Sequence, residues 1–303
     1  MLALPMGHPL LQRFFELEPT IRGAMPAEGG HLIAAAVLAS AERVPAGDLL
    51  EIGVLEGRSL LPAAAVRRRG EYVVAVDPFE GLGDEPALRA GGSAKRAAFE
   101  ANWGRVLAGA TGGLQVHRQG SDAFGPAARA AGRRFRYVSV DGDHGVEATR
   151  RDLELASDLL LGGGVISLDD VFNAEWPSVG QAAAAFLDGH PDLRAFAAGW
   201  NRLMICGRAD VTHYQDRVEA LLQAADPPIR PALKVTNSFP CHGVRLRVFT
   251  HRWAPASLPA LGPAGYAAGA AVQRLGTRRP RLAAALGWGL RRLSPPDPRE
   301  ERA

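Results

Sequence analysis

Lysine is almost absent from this 303-residue chain: Lys95 and Lys234 are the only two, and Arg carries the rest of the positive charge. Cysteine is equally scarce. Cys206 and Cys241 are too few for a disulfide framework and do not form a Cys-x-x-Cys pair. A reducing cytoplasm is the expected setting. The opening MLALPMGHPLLQRFFELEP lacks a basic region and is broken by Pro5, Gly7, His8 and Pro9, so no secretory signal is expected. The uncharged run Trp253–Gln273 is long enough to cross a bilayer. Pro255, Pro259 and Pro263 interrupt it, and Ala and Gly fill most of the rest, so no membrane span is expected. A general basic surface is lacking too. The formal net charge is +3, and eight Arg face three acids between Arg274 and Ala303. The remainder is therefore slightly acidic, which excludes a general nucleic-acid surface.

What is present is ordinary globular composition, 47% hydrophobic and 22% charged. The length allows one large domain or a catalytic domain with an appendage. Residues 1–30 read as an irregular or partly helical lead-in, and His31–Val44 as an Ala-rich helix. A rhythm of short apolar strands and helices follows. Strands are expected at Asp48–Ile52, Tyr72–Val76, Leu114–His117, Phe135–Val140 and Gly164–Leu168. Helices are expected at Arg58–Arg69, Ala94–Ala108, Gly125–Ala131, Val146–Leu161 and Val179–Leu187. This alternation predicts an α/β fold: a parallel, doubly wound, Rossmann-like sheet covered on both faces. The last pair, Leu193–Ala197 and Arg202–Cys206, is joined too tightly for a helical crossover and is expected as an antiparallel hairpin. The rhythm stops after residue 208. Residues 208–303 form an extension, with a helix at Tyr214–Ala224, a strand at Val244–Thr250 and a low-complexity basic tail. That strand either extends the sheet or pairs across a homo-oligomer. Arg278–Leu293 is basic with an apolar stripe, weakened as a helix by Gly287 and Gly289.

Ligands of open α/β sheets bind beyond the carboxyl ends of the strands. After the first strand comes Glu51-Ile-Gly53-Val-Leu-Glu-Gly57-Arg-Ser59, a glycine turn opening a helix whose free N–H groups suit an anion. The spacing is not G-x-G-x-x-G. Glu51 is costly inside a strand end unless a partner meets it. After the second strand comes Asp77, 20 residues beyond Gly57. It either accepts from a ribose diol or caps the turn before Pro78. After the third come Ser121 and Asp122, either a helix cap or neighbours of an adenine.

These residues resemble the class I S-adenosylmethionine-dependent methyltransferases over roughly Gly30 to Gly207. The resemblance implies a seven-stranded sheet in the order 3-2-1-4-5-7-6 with an antiparallel last strand. It places residues 31–207 in the cofactor-binding domain. It further implies that Gly53, Gly57 and Ser59 line the methionine part of the cofactor, with Glu51 supporting the loop or the amino end. Asp77 takes the ribose, and Ser121 and Asp122 flank the adenine.

The fourth strand ends in Asp141-Gly-Asp143-His144 and the fifth in Asp169-Asp170. Neighbouring strands lie about 4.8 Å apart, so these acids can converge. Packed carboxylates repel unless a cation intervenes, and an oxygen-only cluster suits Mg²⁺, Ca²⁺ or Mn²⁺. Asp143 is alternatively a plain helix cap. Here the chain resembles methyltransferase family 24, the metal-dependent small-molecule and sugar O-methyltransferases. The resemblance implies Asp141, Asp169 and Asp170 as ligands of a divalent metal, Mg²⁺. It implies His144, with Asp141, as catalytic, His144 taking the proton of a hydroxyl acceptor. The acceptor it implies is a small metabolite, such as a sugar or glycosylated natural product. Phe79–Glu85 is glycine-rich enough for a lid. Phe172 and Trp176 either pack on a substrate ring or anchor their loop to the core. Two other readings stand beside this one: a nicotinamide-dependent dehydrogenase, and a non-catalytic cofactor-binding scaffold.

Overall fold

A computed structural model describes residues 8–80, 92–107, 112–225, 233–235 and 246–249. These lie in the first of two compact units, Met1–Thr250; the second, His251–Ala303, lies outside the described residues. With it lie the expectations for Trp253–Gln273 and Arg278–Leu293, and residues 81–85 of the expected lid. Among the described residues no helix is long and apolar enough to cross a membrane.

The elements run α1 (Pro9–Leu17), α2 (Ala27–Arg43), β1 (Asp48–Ile52), α3 (Leu60–Ala65), β2 (Val73–Val76), α4 (Gly92–Val106) and β3 (Leu114–His117). There follow α5 (Ser121–Ala130), β4 (Phe135–Val140), α6 (Val146–Leu159), β5 (Leu160–Leu168), α7 (Pro177–Gly189), β6 (Leu193–Gly199), β7 (Arg202–Gly207) and α8 (Val211–Gln223). β8 (Leu233–Val235) and β9 (Leu246–Phe249) complete the set. One nine-stranded sheet has the order β3-β2-β1-β4-β5-β7-β6-β9-β8. β1 to β5 are parallel, and β7 is antiparallel to both of its neighbours. The first seven strands follow the expected order. The strand expected at Val244–Thr250 is β9, and it extends the sheet, parallel to β6.

Runs such as VVAV and FRYVSV are buried along their whole length because helices cover both faces. Leu49, Val73, Ala75 and Met204 face a core shared with α1, α2, α3, α4 and α8. Leu50, Val74, Val138 and Ile166 face a second core shared with α5, α6 and α7. Adjacent strand residues thus serve opposite cores, the period-2 rule at work.

Several boundaries differ from expectation: α2 starts at Ala27, α5 at Ser121 and β5 at Leu160. The lead-in holds a regular helix, α1, with Leu11 and Phe14 fully buried. α3 is six residues long and stops before Arg67. Its continuation is pre-empted by Glu71, whose carboxylate takes the Arg68 N–H at 2.8 Å and the Arg68 side chain. Glu71 also forms a bidentate pair with the fully buried Arg136, at 2.8 and 2.6 Å. Arg136 further donates to the Val37 carbonyl and to the Ser40 hydroxyl. This network, joined by α2 and β4, lies at the amino end of the sheet, away from the strand ends considered next.

Candidate active site

β1 leads into Gly53, where φ is +81°. A Cβ there would stand 2.9 Å from the Gly142 Cα and well inside contact with the Asp141 carbonyl oxygen. Gly53 therefore lets the loop after β1 rest directly on the loop after β4. Gly57, at φ +87°, meets the same demand: a Cβ would stand 2.7 Å from the Phe99 ring of α4. Phe79, expected at the start of a lid, is buried and stacks on Phe99 with centroids 6.2 Å apart. It anchors the core instead.

Asp77 takes the capping one of its two expected readings. Its Oδ2 accepts from the Val54 and Leu55 N–H groups at 2.7 and 2.8 Å, and its Oδ1 accepts from the Phe79 N–H. It caps its own turn and pins the glycine loop. A carboxylate oxygen has room for a second donor, so Oδ1 keeps acceptor capacity. Arg58 was given no role from the sequence. Its guanidinium donates to the Met25 and Ile21 carbonyls at 2.7 Å each and pairs with Glu18. It docks the lead-in against the glycine loop. Ser59 is buried and its hydroxyl caps no helix. Ser121 and Asp122 open α5, but the Ser121 hydroxyl donates to Asp152 of α6 rather than capping. Burial pushes the Asp152 carboxyl up to about 6, against the Ser121 hydrogen bond.

The acids after β4 and β5 do gather. Asp141, His144 and Asp170 each offer a donor atom, and the three atoms lie within 4.8 Å of one another. His144 Nε2 stands 3.2 Å from Asp170 Oδ2, at an angle that completes no hydrogen bond. Its ring stacks on Trp176, with centroids 4.5 Å apart and planes 28° apart. Trp176 is 39% exposed and Phe172 48%, so neither is a core anchor. Asp170 adopts φ +57°, a conformation Asp tolerates better than most residues. Asn173 Nδ2 donates to its Oδ1 at 2.9 Å. The His144 imidazole holds the Asp170 carboxyl below its ordinary range. A cavity of about 10 Å³ lies between Asp141, His144, Thr149 and Asp169, room for about one water-sized particle.

Asp143 and one expected ligand, Asp169, stand apart from this group. Asp143 accepts from the Gly145 N–H at 2.7 Å and closes the turn before α6, whose N-cap is Gly145. Asp169 is not in the cluster: its Oδ2 takes Arg202 Nη2 at 2.6 Å. The same nitrogen is 3.5 Å from Asp141 Oδ2. Burial and the Asp169 charge push the Asp141 carboxyl well above the ordinary range, Arg202 notwithstanding.

Arg202 is the residue sequence reasoning missed. It has no exposed surface. Its Nη1 lies 3.4 Å from the Ser139 hydroxyl and 3.3 Å from that of Ser167. Strand register sets Glu51, Ser139 and Ser167 side by side. A polar strip thus crosses β1, β4 and β5 inside a core. Glu51 is fully buried, and neither of its oxygens completes a hydrogen bond. Burial pushes its carboxyl up to about 7; the Arg202 charge and the nearby Ser139 and Ser59 hydroxyls pull the other way. Such a strip is costly for folding alone, and local costs of this kind mark functional sites.

Residues 50–171 match methyltransferase family 24, described as a methyltransferase domain. No curated protein matches the chain significantly. Among solved structures, the O-methyltransferase from Bacillus cereus in complex with SAH is 18% identical, over 65% of this chain and 89% of that one, with a TM-score of 0.47. CalS11, a TDP-rhamnose 3'-O-methyltransferase of calicheamicin biosynthesis, is 19% identical over 65% and 92%, TM-score 0.45. TomG from Streptomyces achromogenes, an O-methyltransferase of tomaymycin synthesis in complex with SAM, is 17% identical over 65% and 86%, TM-score 0.44. The matched segment spans the ends of β1 to β5, where the glycine loop, Asp77 and the acid cluster stand. Over residues 50–171, then, the chain is similar to methyltransferase family 24, a methyltransferase domain.

Proposed function

We propose that this enzyme moves a methyl group from S-adenosylmethionine to a hydroxyl oxygen of a small metabolite, a sugar or a glycosylated natural product, at a site that holds a divalent cation. The observation that carries the reading is the convergence of Asp141, His144 and Asp170 against the Gly53 loop. Gly53, Gly57 and Ser59 lie along the methionine part of the cofactor, and the buried Glu51 carboxylate faces its cationic amino end. Asp77 Oδ1 takes a ribose hydroxyl. Ser121 and Asp122 border the adenine.

The donor set fits a hard divalent ion. Mg²⁺ commonly takes one or two carboxylates and keeps several waters, and Asp141 and Asp170 would supply the carboxylates. When bound, such an ion polarises an acceptor oxygen and lowers the pKa of its hydroxyl. His144, at the edge of the acid cluster, accepts the hydroxyl proton as general base. Asp170 stabilises the imidazolium so formed, and the stacked Trp176 fixes the ring plane. The exposed faces of Trp176 and Phe172 offer flat apolar surface to a sugar or aromatic ring. Holding the oxygen in line with the methyl carbon supplies much of the rate.

Calorimetric titration with S-adenosylhomocysteine, with and without Mg²⁺, tests the reading. Tight binding that Mg²⁺ strengthens is expected; no binding of the nucleoside ends it. His144→Ala is expected to keep affinity for S-adenosylhomocysteine and Mn²⁺ while turnover falls by about 10²–10⁴-fold, the usual worth of a general base. Unchanged turnover removes His144 from the base role.

A further inference from the structure

We propose that Arg202 is a resident cation of the acid site and a positioning residue: it claims the Asp169 carboxylate, leaves divalent-ion ligation to Asp141 and Asp170, and holds affinity for that ion down. The proposal rests on the metal reading above. Three observations carry it. First, Arg202 is wholly buried and bonds Asp169 at 2.6 Å, while Asp169 is missing from the convergent group. Second, the fold builds this pairing. Trp200 and Asn201, at φ +50° and +64°, make the tight hairpin that starts β7 at Arg202. Leu168 pairs with Leu203 in the antiparallel ladder, which sets Arg202 across from Asp169. Third, the Val171 N–H donates to the Asn201 carbonyl at 3.0 Å. The hairpin therefore grips the Asp169–Val171 segment twice, by side chain and by backbone. Asp170 lies between the two grips, in its left-handed conformation, turned toward His144.

Electrostatics gives the consequence its sign. A buried positive charge a few ångströms from a dication repels it, and a carboxylate held in an ion pair is a weaker ligand for one. Removing Arg202 lifts both restraints. Mn²⁺ binding, followed by electron paramagnetic resonance at pH 8 on the full chain with S-adenosylhomocysteine, reads this directly. Arg202→Met is expected to bind Mn²⁺ at least about tenfold more tightly than the parent, and Arg202→Lys to stay within about threefold. Adding Asp169→Asn to Arg202→Met is expected to cancel the gain. If Arg202→Met does not fold, Arg202→Gln carries the same expectation while keeping a donor toward Asp169. Equal or weaker Mn²⁺ binding in the uncharged variant overturns the proposal, as does a gain that survives Asp169→Asn. A parent that binds no Mn²⁺ sinks the metal reading and this proposal with it, whereas a parent that binds beside an Arg202→Met that gains nothing sinks this proposal alone.

Discussion

Glu51→Gln is expected to make the cofactor-free protein more stable and worse at binding its cofactor, with the stability gain confined to neutral and alkaline pH. The Glu51 carboxyl is fully buried with no completed hydrogen bond, and burial raises it from an ordinary 4.5 to about 7. The sign follows from proton counting. Between pH 4.5 and 7 the unfolded chain has released this proton and the folded chain still holds it. The folded state binds more protons, so stability falls as pH rises through that window and levels off above it. At 1.36 kcal/mol per unit the accumulated loss is about 3 kcal/mol. Gln has the same shape and no charge, so it removes the titration. Urea unfolding at pH 5 and pH 8 should therefore show a wild-type-to-variant gap that widens by about 3 kcal/mol toward pH 8. The same substitution removes the anion proposed to face the cationic amino group of the cofactor. Calorimetry should show weaker S-adenosylhomocysteine binding, by the 1.5–3 kcal/mol of a charge-assisted hydrogen bond at roughly 25 °C. A gap independent of pH would refute the burial argument. Unchanged nucleoside affinity would refute the role given to Glu51.

The remaining predictions concern the scaffold. Gly53→Ala forces a side chain against the Asp141–Gly142 backbone at a positive φ. A loss of about 3 kcal/mol or more is expected in thermal or urea unfolding, with S-adenosylhomocysteine binding lost. Glu71→Ala leaves the buried Arg136 without its carboxylate, a break worth about 3–5 kcal/mol by urea unfolding. Burial pushes Glu71 up, but its hydrogen bonds and charge contact with Arg136, helped by Arg68, outweigh this and leave it below the ordinary value. The stability it contributes is therefore present at neutral pH and lost as pH falls through its folded-state pKa. Acid unfolding of Glu71→Ala should accordingly be shallower than that of the parent below pH 5.

The sheet was legible because local pattern determines it. Apolar tetrads such as Val73–Val76 need cover on both faces, and the short link before Arg202 leaves no room for a crossover. The strand-end acids were legible for a related reason: parallel strands bring their carboxyl ends to one edge, so Asp141 and Asp170 could be set beside each other by topology alone. The grouping within that edge was not legible. Asp169 and Asp170 are adjacent in sequence, yet one faces Arg202 and the other, in a left-handed turn, faces His144. Nothing local marks that turn. Arg202 itself reads as one of many Arg in a lysine-poor chain, and only the pairing of Leu168 with Leu203 brings it against Asp169. Asp152 was missed likewise, since its Ser121 partner is 31 residues away. The two glycines show the opposite case. Gly53 and Gly57 were read as making room for a ligand, yet the chain's own atoms, the Asp141–Gly142 backbone and the Phe99 ring, already require them. A glycine turn after a strand therefore reports that something passes close by, and only the folded contacts say what. The site's chemistry follows the same logic: residue types announce that charge gathers at this edge, while the long-range pairing of β5 with β7 decides which carboxylates stay free to act.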